Sequence, residues 1–169
     1  MTISPDTDSL SKIIDFLTAI GLAPVATAMD GSSLLPGVDI ADGQLIYDPA
    51  RLLWPGDLLH EAGHIAVMPP ALRPTLGGTL PDEAMAPHAG EVEATAWAYA
   101  AALAAGIAPE VLFHSGGYKG QSESLVLTYS LGVYPGVAGL IAAGLAASPV
   151  DAKTLGLAAY PVMLRWLRQ

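Results

Sequence analysis

The stretch "PGDLLHEAGHIAVMPP", residues 55–70, holds two histidines four apart with a glutamate directly after the first. On a helix, such positions differ by about 40° around the axis and about 6 Å along it, so His60 and His64 present their imidazoles to one point in space. Glu61 lies about 100° further round and is poorly placed as a ligand, but its carboxylate reaches a water bound to an ion between the imidazoles. Asp57 is the expected cap of this helix, which Pro69 and Pro70 close after near three turns. From Leu58 to Met68 the only charge is Glu61. The helix is therefore expected to be buried, where imidazoles and a carboxylate without partners are costly.

Two histidines do not complete a zinc site, because a catalytic zinc takes three protein ligands and keeps one position open. The chain has no cysteine, so the third ligand must be His, Asp or Glu. A third histidine six residues after His64 is ruled out, since Pro70 stands there. The remaining candidates are His88, Glu91, Glu93 and His114. Glu91 and Glu93 open an Ala-rich helix expected from about Gly90 to Ala105 and ended by Gly106. The face of Glu91 carries Ala94, Thr95, Ala98 and Ala102, all small, whereas the face of Glu93 carries Trp97. A small-residue face lets the first helix approach through Ala62, Gly63 and Ala66, which favours Glu91 and keeps Glu93 as the alternate.

"HEAGH", residues 60–64, followed 27 residues after its second histidine by "EVEATAWAYA", resembles the gluzincin class of zinc metallopeptidases. The second motif is similar to that of the ImmA/IrrE-type peptidases. The resemblance covers about a quarter of the chain. It implies an α+β, predominantly helical, zincin-like fold with a small β-hairpin or sheet packed on the metal-binding helix pair. It also implies Zn2+ as cofactor and Glu91 as the third ligand. Thr95 stands where the family usually carries Asp or Asn, the residue that orients a ligating histidine.

These residues fit a metallopeptidase acting on a peptide or protein. The metal lowers the pKa of its water, and Glu61 takes the proton and delivers it to the leaving group. His114, Tyr118 and Tyr99 are the candidate donors to the oxyanion. The strand expected at "QLIYD", residues 44–48, could take up an extended peptide by strand addition. The "SGGYKG" loop, residues 115–120, lacks the ending of a phosphate loop, and its glycines serve turns or let backbone approach the site. The competing reading is a non-catalytic protein that keeps the metal site for stability or interaction.

Composition sets the frame. The 169 residues suffice for one domain with a full core, and a net charge of −9 without basic clusters argues against nucleic acids and anionic membranes. The acidic, polar start "MTISPDTDSL" predicts no targeting segment, and the lack of cysteine fits a cytoplasmic protein. Residues 124–150 carry no charge, but Pro135 and four glycines divide them, which favours two buried helices over a membrane span. Elsewhere an amphipathic helix is expected over 9–20 with Asp8 or Ser9 as cap, and a hairpin turning at Ala41-Asp42-Gly43. A long loop is expected over 71–88, and helices over 121–131, over 135–147 and from Asp151 with a kink at Pro161. Oligomeric state is left open.

Overall fold

The computed structural model describes residues 7–77 and 90–169. It is α+β, with helices outweighing a small three-stranded sheet. Helix α1, Thr7–Ala19, buries Ile13 and Leu17 on its apolar stripe. It begins two residues before the expected start, so Asp8 lies in its first turn, bonded to Lys12, and Ser9 is buried. Strands β2, Val38–Ala41, and β3, Gln44–Tyr47, form the expected hairpin. Its two-residue turn has positive φ at both Asp42 and Gly43, as the strand twist requires. A two-residue strand, β1, Val25–Ala26, adds in parallel to β3 and makes the order β1-β3-β2.

The centre of the core is the pair α2, Gly56–Val67, and α3, Glu91–Ala104. The sheet and α1 pack on α2. The helices meet at Gly63, where an added Cβ would lie 2.6 Å from the carbonyl oxygen of Ala94 and 3.1 Å from its Cα. Only glycine fits there, because the obstacle is backbone. Residues 160–168 seal another side of the pair: Trp97 Nε1 donates to Trp166 O at 2.9 Å, the Tyr160 hydroxyl donates to Ala96 O at 2.9 Å, and Arg168 N donates to Ala66 O at 3.0 Å.

Four short helices complete the fold: α4, Pro109–Leu112; α5, Ser122–Ser130; α6, Val137–Ala142; and α7, Pro149–Leu155. The stretch 124–150 is thus divided between helices of which none is long and apolar enough to cross a membrane. The last helix does not reach Pro161. It stops at Gly156, whose left-handed φ of 66° caps it. The expected loop after α2 begins as a 3-10 helix over Pro70–Thr75, while its continuation over 78–88, with His88, lies outside the described residues.

Candidate metal centre

Helix α2 holds the imidazoles of His60 and His64 in T-shaped contact, with the two Nε2 atoms 3.2 Å apart. Across the seam that Gly63 opens, Glu91 begins α3 and turns its carboxylate toward both rings. One oxygen is 3.3 Å from His60 Nε2 and the other 3.2 Å from His64 Nε2. Hydrogen bonds from the two imidazoles hold the Glu91 carboxyl well below the usual carboxylate range. Glu93 points elsewhere, its side chain lying against Gly139 of α6.

The donor set fits zinc. With metal–ligand bonds of about 2.0–2.1 Å, two ligand atoms of a tetrahedral site are about 3.3 Å apart, the spacing found here. A carboxylate oxygen of Glu61 also lies within 4.8 Å of both histidine nitrogens, so two carboxylates face the pair. Glu91 spreads its two oxygens over the pair, one at 3.2–3.3 Å from each imidazole nitrogen, while Glu61 completes the His60–Glu61–His64 group. Burial pushes the Glu61 carboxyl up, against the smaller opposing pull of His64 and His60.

Around this group runs a cavity of about 220 Å3, lined among others by Leu34, Asp57, Glu61, Glu91, Tyr118 and Lys119. Asp57 is not the cap of α2. The N-cap position is Pro55, and Asp57 sits in the first turn, 4% exposed, with Oδ1 accepting from His114 Nε2 at 2.8 Å. The His114 ring stacks on Trp54, with centroids 4.5 Å apart and planes 7° apart. Gly116 packs on Trp54 and Gly117 on His114 so closely that a Cβ on either would overlap the ring below it. The two glycines thus let the backbone pack directly on these two rings. The next two residues, Tyr118 and Lys119, are both left-handed, with φ of 54° and 52°. Tyr118 thereby lies edge-on to His60, with ring centroids 5.9 Å apart. Burial pushes its phenol far above the usual range.

The sequence-expected residues therefore fall into groups. His60, Glu61, His64, Glu91 and Tyr118 converge. His114 reaches the site through Asp57, whereas Tyr99 is buried among Phe113, Tyr129 and Tyr134 and does not line the cavity. Thr95 donates its hydroxyl to Glu91 O at 2.7 Å, a helix back-bond, while His60 Nδ1 has no hydrogen-bond partner among the described residues, so Thr95 does not orient that imidazole. Strand β3 is central, paired on both sides, and the outer strand β2 is blunted. Its Val38 N–H donates to Leu35 O and its Ile40 N–H to the Asp39 carboxylate, which leaves little for an added strand. Asp57, Leu34 and Lys119 were not foreseen as site residues. For Asp57 a signal was present: it is the one charged residue a single turn before His60 on a helix expected to be buried. No protein-family model, curated protein or solved structure matches the chain.

Proposed function

We propose that the protein is a zinc-dependent hydrolase of peptide or amide bonds with a zincin-like arrangement of its helix pair. His60, His64 and Glu91 would hold the ion. The reading is carried by one observation: two imidazole nitrogens 3.2 Å apart, each 3.2–3.3 Å from one oxygen of the Glu91 carboxylate, with a second carboxylate, Glu61, facing the pair. Bound there, zinc would supply Lewis acidity and a water acidic enough to be deprotonated near neutral pH. Glu61, its carboxyl raised by burial, is suited to take that proton and return it to the leaving nitrogen. Tyr118 stays protonated, and its buried hydroxyl has no hydrogen-bond partner among the described residues, so it is available to donate to the oxygen that becomes negative. His114 is better suited to positioning: it grips Asp57 on one side and supports Gly117 beneath Tyr118 on the other. The substrate class is a peptide or protein, since the acidic chain would repel nucleic acids.

Glu61→Gln tests this reading. The variant is expected to retain one zinc per chain and to lose hydrolysis of a mixed peptide library. The second reading, a metal site without catalysis, is favoured by His60 Nδ1, which has no hydrogen-bond partner among the described residues to orient the ring. Under it the wild-type protein binds zinc and cleaves nothing in the library.

A further inference from the structure

A second cavity, of about 270 Å3, adjoins the first and shares with it Glu91, Tyr118 and Lys119. Beyond these its wall is largely apolar, with Val92 of α3, Leu125 and Tyr129 of α5, and Pro135. The two hollows meet at Glu91, Tyr118 and Lys119, so a chain whose carbonyl sits beside His60 and Glu61 can send its next side chain into the second one. Lys119 stands on the common rim. Among the described residues its ammonium makes no ion pair, and no other Lys or Arg lines either hollow. Two consecutive left-handed non-glycine residues, Tyr118 and Lys119, are a strained backbone arrangement. That strain places the Tyr118 ring and the Lys119 stem together on the wall common to both hollows.

We propose that the second cavity is a side-chain subsite for a large apolar residue next to the reacting carbonyl, and that Lys119 pairs with a carboxylate on the same substrate. This rests on the hydrolase reading above and narrows its substrate class to peptides that combine these two features within one or two residues. The carboxylate is either the free C-terminus of the apolar residue or an acidic side chain following it.

The test is calorimetric binding of hydroxamate probes to the zinc-loaded full chain, which needs no turnover. Acetohydroxamate reads the metal alone. Succinyl hydroxamates ending in Leu-OH, Ala-OH, Leu-NH2 or Leu-Asp-NH2 read the subsite and the carboxylate. Leu-OH is expected to bind about tenfold or more tighter than Ala-OH. Val92→Trp, at a half-exposed position, fills the subsite and is expected to abolish that difference while leaving acetohydroxamate binding unchanged. Leu-OH or Leu-Asp-NH2 is expected to exceed Leu-NH2 by about three- to tenfold, and whichever gains identifies the source of the carboxylate. Lys119→Asn, which tolerates the left-handed backbone, is expected to erase that gain. Equal binding of Leu-OH and Ala-OH overturns the subsite, and equal binding of acids and amide overturns the role of Lys119. If acetohydroxamate and zinc both fail to bind, it is the hydrolase reading that has failed.

Discussion

Along the seam between the helix pair and residues 160–168, buried polar groups are paired: the indole of Trp97 with Trp166, the phenol of Tyr160 with Ala96, and the guanidinium of Arg73 with the carbonyls of Ile65 and Met68. Around His60 the reverse holds. Asp57 Oδ2, His60 Nδ1, His114 Nδ1 and the Tyr118 hydroxyl are all buried without a hydrogen-bond partner among the described residues. A buried polar atom left unpaired costs about 1–3 kcal/mol, so such atoms are scattered thinly in a folded chain. Here four of them surround one group of histidines. The helix pair is thus sealed by paired groups on one side, while on the other α2 brings Asp57 and His60 up to His114 and Tyr118 from the loop after α4, with one unpaired buried atom on each.

That contrast can be broken by mutation. The largest effect is expected from Gly63→Ala, which sets a Cβ against the Ala94 backbone and parts the helices that both regions share. We expect a loss of about 2 kcal/mol, a fall in Tm of about 6 °C, and loss of zinc binding, read by thermal denaturation and metal analysis. Next, Tyr118→Phe and Tyr160→Phe remove the same atom from the two regions. Tyr118→Phe is expected to lower turnover about 100-fold or more while leaving Tm unchanged or raised. Tyr160→Phe should leave turnover unchanged and cost about 1 kcal/mol of stability. The reverse pattern would dissolve the distinction.

The smallest effect concerns pH in the metal-free protein. Hydrogen bonds from His60 and His64 depress Glu91, so its contribution to stability is present above the ordinary glutamate value and is lost as pH falls through the lower folded one. With 77% of its side chain open to solvent, that contribution is small. Glu91→Gln should lower Tm slightly at neutral pH, and the difference should vanish on acidification. A difference that persists at a pH low enough to protonate Glu91 would show that Glu91 is not held by the imidazoles.

What could be read from the sequence was local or periodic. The hairpin announced itself through Asp42-Gly43, and α2 through its histidine spacing and flanking prolines. The small face of Glu91 pointed to the helix contact that Gly63 makes. Strand β1 was not legible, because two residues carry no alternation and their pairing is set by β3, some twenty residues away. The partner of Asp57 was hidden for the same reason, being 57 residues distant. The sequence also overextended the last helix, where Gly156 outweighed the apolar run beyond it. The left-handed pair Tyr118-Lys119 had only neighbouring glycines to suggest a turn, and nothing in residue type reveals that a tyrosine will be held there under strain.

The central claim is that His60, His64 and Glu91 form one zinc site across the helix pair. Zinc content of metal-replete wild-type protein, measured beside Glu91→Ala and Glu93→Ala, tests it most directly. The account predicts one zinc per chain in the wild type and in Glu93→Ala, and at least tenfold weaker binding in Glu91→Ala. A wild-type chain without zinc, or zinc lost from Glu93→Ala and kept by Glu91→Ala, would contradict it.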